Sequence, residues 1–226
     1  MFEKLLRPGD GRRNRWRTAR DEPVPLSRLL RNAPRALGTF VMARLFDHRP
    51  TQPWIGYDAI RRLDTILRPD MAALEYGSGM STMWFARRVG SIIAVEDDAK
   101  WGAFQRTKLV RERIANVEIV ISNDREGYLR PPAVATQMER GGFDFIMIDG
   151  RYRDGCAEAA VGMIKPGGAI YLDNSDVTQF NNLDGNLENA RQTLQSAALE
   201  RGGSVEAFVD FAPGLLFATS GHLYRF

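Results

Sequence analysis

Leu74-Glu75-Tyr76-Gly77-Ser78-Gly79-Met80-Ser81-Thr82 is the stretch from which the fold of this chain is read. Residues 72–76, which lead into its first glycine, form a short apolar run of strand length, and residues 81–89, which begin at its end, carry helical periodicity. Two glycines between a strand and a helix permit a tight turn and leave backbone N–H groups accessible to a ligand. Ser81 or Thr82 is placed to cap the helix. A dinucleotide fingerprint would require Gly or Ala three residues after Gly79, where this chain has Thr82, which counts against a nicotinamide site.

Outward from this turn, short apolar runs alternate with longer helical ones, the pattern of repeated βα units around a largely parallel sheet. Strands are expected over 72–76, 91–96, 117–121, 143–149 and 169–173, and helices over 81–89, 99–114, 133–140, 154–164 and 186–201. The runs 205–211 and 215–226, joined through Pro213 and Gly214, predict a terminal antiparallel hairpin with a bulge or bend at Ser220-Gly221. The fold class is therefore α/β, a doubly wound Rossmann-like sheet of seven strands with the last antiparallel, preceded by an N-terminal helical extension.

Ligands of such sheets bind beyond the carboxyl ends of the strands, so the residues following each strand are the candidates. The second strand ends in Glu96-Asp97-Asp98, about twenty residues after the glycine turn, where a carboxylate can accept both hydroxyl hydrogens of a ribose. Glu96 is the stronger candidate, while Asp97 or Asp98 can cap the next helix. Ser122-Asn123-Asp124 follows the third strand, and Asp149 and Asp173-Asn174 follow adjacent central strands. Three oxygen ligands of that kind suit magnesium or calcium, and strand-end hydrogen bonding is the alternative. Lys165-Pro166-Gly167-Gly168 follows a helix and reads as the turn into the fifth strand. Neither histidine, His48 or His222, falls at a strand end near the glycine turn, so a histidine base is not indicated, and no nucleophile elbow is present.

Taken together, the glycine turn, Glu96, residues 143–150 and Lys165-Pro166-Gly167-Gly168 resemble class I S-adenosylmethionine-dependent methyltransferases. The likeness spans residues 53–226 and is strongest to a bacterial subgroup sharing E-Y-G-S-G-x-S-T, an I-D-G-R segment and L-D-N-S-D. It implies S-adenosylmethionine as cofactor, with Glu75, Gly77 and Gly79 around its methionine part, Glu96 on the ribose hydroxyls and Asp124 at the adenine amine. The full expected binding set is Glu75, Gly77, Ser78, Gly79, Ser81, Thr82, Glu96, Asp97, Asp124 and Asp149. The chain is also similar to catechol-type O-methyltransferases, whose corresponding Asp, Asp and Asn bind a divalent metal. Here Asp149-Gly150-Arg151 departs from their pattern, and a fixed cation at Arg151 opposes a metal. The expectation is metal-independent transfer to a small molecule or glycan, with Asp149 orienting the acceptor and Arg151, beside Tyr152, binding an acidic or hydroxylated group. Asp149, Asp173 and Asn174 would be the ligands if a metal were used.

Charge divides the chain. Residues 1–50 hold twelve Lys or Arg against five Asp or Glu, although the net charge of all 226 residues is only +3. Arg12, Arg13, Arg15, Arg17 and Arg20 surround Trp16 in a polar stretch expected to be a solvated tail, with docking onto something acidic as the alternative. Between Pro25 and Asp47, Leu26, Leu29, Leu30, Leu37, Phe40, Val41 and Leu45 recur at helical spacing, interrupted at Pro34. One or two helices are expected there, capping the main domain, with contact to a membrane surface as the alternative. Residues 1–50 are accordingly read as an arm and helical extension, and 51–226 as the ligand-binding domain. No apolar run reaches membrane-span length and arginines occupy the signal-peptide position, so a cytoplasmic location is expected. Cys156 stands alone, which excludes an internal disulfide or a cysteine metal pair. The sequence assigns no oligomeric state. A non-catalytic cofactor-binding module and a nicotinamide oxidoreductase are the competing classes. Nucleic-acid methylation lacks the Asn-Pro-Pro-Tyr-like segment it would need after the fourth strand.

Overall fold

A computed structural model describes residues 13–46, 52–177 and 186–226. Arg12, His48, Pro50 and the expected domain boundary lie outside these described residues. Helices α1 (Leu26–Leu45) and α2 (Tyr57–Ile66) lead into β1 (Ala72–Tyr76), α3 (Met80–Ala86), β2 (Ser91–Glu96), α4 (Ala99–Arg111) and β3 (Val117–Ile121). Then come α5 (Arg125–Leu129), α6 (Pro132–Glu139), β4 (Phe143–Ile148), α7 (Arg153–Met163), β5 (Ile164–Leu172), α8 (Leu187–Glu200), β6 (Ser204–Phe211) and β7 (Ala218–Arg225). The seven strands run in the order β3-β2-β1-β4-β5-β7-β6, and β7 is antiparallel to both its neighbours. The α/β sheet with an antiparallel last strand is thus as expected.

Side chains alternate between the two faces of the central strands. Ala73, Phe145, Met147 and Tyr171 join one core with α1, α2 and α3, while Leu74, Tyr76, Ile146, Ile148 and Ile170 join another with α5 through α8. A parallel sheet covered on both faces needs such continuous apolar runs, which is why β1 and β4 read so clearly in sequence. The chain crosses from one side of β1 to the other between β3 and β4, and this opens the crevice at the carboxyl ends of β1 and β4.

Three expectations are corrected. The terminal hairpin pairs without a bulge from Ser204 opposite Arg225 to Phe211 opposite Ala218. Gly221 serves packing instead, since a Cβ there would lie 1.9 Å from the Tyr171 hydroxyl. The fifth strand starts at Ile164, and the Lys165-Pro166-Gly167-Gly168 turn is absorbed as a register shift, with Gly167 at φ +79°. Finally, residues 13–24 are not a solvated tail. Ala218 donates its N–H to the Arg15 carbonyl, the Ala19 N–H donates to Asp176 at 2.9 Å, and Arg20 pairs with Glu188. Buried Thr18 and Val24 complete this strap across the β5–β7 end of the sheet. Arginine-rich composition hid the fit because the partners are carboxylates far along the chain.

Of the two alternatives for the extension, one helix forms, continuing through Pro34, but most of the apolar stripe expected to cap the main domain faces outward, with Leu26, Leu30, Leu37, Val41 and Leu45 exposed. Pro34 is exposed, so the carbonyl of Leu30 that loses a backbone partner is on the solvent side. Asn32 and Ala36 on either side of it are buried against the body and hold the helix in place.

Candidate functional site

The loop after β1 is held by the carboxylates on either side of it. Glu75 is fully buried and accepts from the Ser81 hydroxyl and from the Thr82 hydroxyl at 2.6 Å. The Gly79 N–H donates to Thr82 Oγ1 at 2.9 Å, so Thr82 links the turn, the helix start and Glu75. Burial pushes the Glu75 carboxyl up to about 8, with the nearby Asp149 and Glu96 carboxylates adding to the rise against the two donated hydrogen bonds.

Glu96 organises the same loop from β2. Its Oε2 accepts from the Ser78 N–H at 3.0 Å and the Ser78 hydroxyl at 2.6 Å, and its Oε1 accepts from the N–H groups of Asp97 and Asp98, both at 3.0 Å. Asp98 caps α4 through Lys100 and Trp101, leaving Asp97 to form an ion pair with Arg151. Asp124 caps α5, accepting from the Gly127 N–H at 2.8 Å.

The β1 and β4 loops approach through their glycines. Gly77 sits at φ +94°, and a Cβ on it would lie 2.9 Å from the Gly150 Cα. A Cβ on Gly150 would meet the Tyr128 hydroxyl at 2.0 Å. The Asp-Gly pair after β4 is therefore as much a steric requirement as the glycine turn. Gly79 differs, because a Cβ there would find nothing nearer than Ser81 Oγ at 3.5 Å.

Asp149 is held by Arg153, whose Nη2 donates to its Oδ1 at 3.1 Å and to its carbonyl at 3.0 Å. Buried Arg153 also donates to the carbonyls of Gly150 and Asp173, both at 2.9 Å, and to Asn174 Oδ1 at 3.4 Å. A guanidinium thus stands amid Asp149, Asp173 and Asn174. Asp173 is buried with Oδ1 lacking a partner; burial first, then Asp149, raises its carboxyl well above the ordinary range. Arg153 was not singled out in sequence, although its spacing four residues after Asp149 at a helix start is the signal that marks it.

His222 was also missed as a neighbour of this region. It lies on β7 opposite Leu172, with Nδ1 2.6 Å from Ser175 Oγ, and burial lowers its pKa to about 4. It is therefore a neutral imidazole at pH 7. Only the return of β7 beside β5 brings it there.

A cleft of about 730 Å³ opens over Ser78, Gly79, Ser81 and Asp149 and continues between α3 and α4 past Met80, Met83, Trp101 and Phe104. Trp101 Nε1 donates to the Ser78 carbonyl at 2.8 Å, fixing an aromatic wall beside the glycine turn. The structure thus brings together Glu75, Gly77, Ser78, Gly79, Ser81, Thr82, Glu96, Asp97, Asp149 and Arg151, while Asp124 stands at the end of β3, two strands from β1.

No family model matches the sequence, and no curated protein matches it. Among solved structures the chain is similar to the O-methyltransferase from Bacillus cereus in complex with SAH, at 20% identity over 86% of this chain and 90% of that one, TM-score 0.56. It is likewise similar to cofactor-bound Rv0187 from MTB, at 23% identity over 85% and 96% of the two chains, TM-score 0.56. The O-methyltransferase TomG from Streptomyces achromogenes, in complex with SAM, aligns at 17% identity over 84% and 88%, TM-score 0.56. At these identities the likeness establishes a shared fold.

Proposed function

We propose that this chain is a cytoplasmic S-adenosylmethionine-dependent methyltransferase acting on an oxygen of a small molecule or glycan, with residues 51–226 as its catalytic unit. The observation that carries the reading is the array in which Glu75 lies beneath the Gly77-Ser78-Gly79 turn while Glu96 grips that turn from β2. It sits at the switch point of a fold shared with proteins solved with SAH or SAM. The residues suit the cofactor: it carries an ammonium, a carboxylate and a ribose diol, which call for a buried carboxyl, an open glycine turn and a diol acceptor. Its sulfonium supplies an electrophilic methyl group that departs from a neutral thioether.

Glu75 would meet the ammonium, and the open side of Gly79 would take the methionine chain. Glu96 would exchange the Ser78 hydroxyl for ribose hydroxyls, with Asp97 beside it and Asp124 at the adenine amine. Asp149, held by Arg153, would orient the acceptor hydroxyl and receive its proton. Much of the acceleration of such a transfer comes from alignment and exclusion of water. The Arg153 guanidinium supplies positive charge among Asp149, Asp173 and Asn174, where a divalent ion would otherwise sit, and this supports transfer without metal.

Calorimetry with SAH tests the site, and methyl transfer to an acceptor panel with and without chelator tests the chemistry. Saturable SAH binding weakened about tenfold or more in Glu96→Ala is the expected result. Absence of binding overturns the reading, binding without turnover on any acceptor leaves an interaction module, and loss of turnover with chelator restored by magnesium makes Asp149, Asp173 and Asn174 ligands.

A further inference from the structure

Helix α1 has two apolar sides, and only one is used. Its inner side seats Ala36 and Leu29 on the body and is pinned by polar contacts: Asn32 Nδ2 donates to Asp210 at 2.7 Å and Arg28 Nε to Asp58 at 2.8 Å. Its outer side carries Leu26, Leu30, Leu37 and Leu45, which are 69%, 70%, 53% and 72% exposed, with Val41, Met42 and Phe46 also exposed. Leu26, Leu30, Leu37 and Val41 are spaced by four, seven and four residues and form one stripe on the helix. The helix holds four arginines and no carboxylate. The Arg35 guanidinium lies over the Tyr57 ring, 4.7 Å from its centroid, and that of Arg44 over the Phe40 ring at 5.5 Å, and neither has a carboxylate on its own element.

An exposed apolar stripe flanked by arginines, over a helix of about 30 Å, is the pattern that lies in the plane of a lipid headgroup layer. No helix among the described residues is long and apolar enough to cross a membrane. A second copy of the chain fits this face poorly, because the helix brings arginines and no carboxylate of its own to such a contact, and Asp58, the carboxylate beside it, already pairs with Arg28, Arg61 and, at 4.0 Å, Arg31. We propose that α1 docks the protein on an anionic bilayer surface, with Leu26, Leu30, Leu37 and Val41 in the headgroup layer and Arg31 toward acidic lipid. This inference does not rest on the methyltransferase reading.

The test is co-sedimentation of the full chain with vesicles of phosphatidylcholine alone and of phosphatidylcholine mixed with phosphatidylserine. Binding at least about tenfold tighter to the anionic vesicles, and weakened by salt, is the expected result. The double variant Leu30→Glu, Leu37→Glu should lose that binding with an unchanged melting temperature, since both side chains face solvent. Arg31→Glu should weaken it about fivefold or more. Binding to neither vesicle, or equally to both, overturns the proposal. So does a dimer that the double leucine variant converts to monomer, or vesicle binding that appears only after residues 1–12 are removed; those results assign the stripe to a second copy and to the chain's own N-terminus.

Discussion

The Arg151 guanidinium at the end of β4 forms an ion pair with Asp97 at the end of β2, and β1 lies between those two strands. The pair therefore spans the mouth of β1, directly above the glycine turn. It also engages the charge that sequence reading assigned to an acidic substrate group. Both side chains are about three-quarters buried, so their coupling should exceed that of a fully exposed pair only modestly. A double-mutant cycle with Arg151→Ala and Asp97→Ala should give a coupling of about 0.5–1 kcal/mol in thermal unfolding. Strictly additive losses would show that the contact contributes nothing to the fold.

Glu75 links pH to ligand binding. With its carboxyl raised from 4.5 to about 8, the folded protein holds a proton that the unfolded chain releases earlier, so this group's contribution to stability declines as pH rises between those values. Glu75→Gln should flatten that slope in melting temperature measured from pH 5 to 8. A cationic ligand group beside Glu75 would drive the proton off, so SAH binding near pH 7 should release up to about one proton, and far less near pH 9. Calorimetry in buffers of different ionisation enthalpy measures this directly. Proton uptake, or no linkage at all, would remove Glu75 from the ammonium site.

The two glycines of the turn should separate fold from binding. Gly77→Ala places a Cβ against Gly150 at φ +94° and should cost roughly 1–3 kcal/mol of stability. Gly79→Val sets a Cβ where nothing lies nearer than 3.5 Å, on the wall of the cleft, so it should melt like the parent chain and fail to bind SAH. Unchanged SAH affinity in Gly79→Val would place the ligand elsewhere.

The N-terminal strap should stabilise the domain in a pH-dependent way. Arg20 first, with Arg191 and Gln192, pulls the Glu188 carboxyl down to about 2. A depressed carboxylate contributes stability above its ordinary value of 4.5, and loses it as pH falls toward 2. Arg20→Ala should therefore lower the melting temperature at pH 7, and the gap from the parent should close on acidification. Deleting residues 1–22 should lower it further, since Asp176 then loses the Ala19 N–H as well. Parent-like melting of the deletion would mean that the strap is only a passenger.

How far the sequence reached follows from the range of the forces involved. The strands at 72–76, 91–96 and 117–121 match the structure to the residue: burial on both faces writes a local apolar run in the first two, β-branched residues mark the edge strand at 117–121, and a glycine or polar residue ends each. Glu75, Gly77 and Glu96 could be named for the same reason: each sits next to an element end that local pattern predicts. What lay beyond reach joins distant segments. Arg151 and Asp97 are 54 residues apart, Ser175 and His222 are 47, and Ala19 and Asp176 are 157. Those pairs exist only once the strand order puts β4 on one side of β1 and returns β7 beside β5. Helix α1 shows the same division: its amphipathic pattern was legible from residues 26–45 alone, but which side is covered was decided by Asn32 finding Asp210 across the fold. Local periodicity determines that an apolar side exists, and only tertiary packing, where a buried polar group must find its partner, determines which side meets the core.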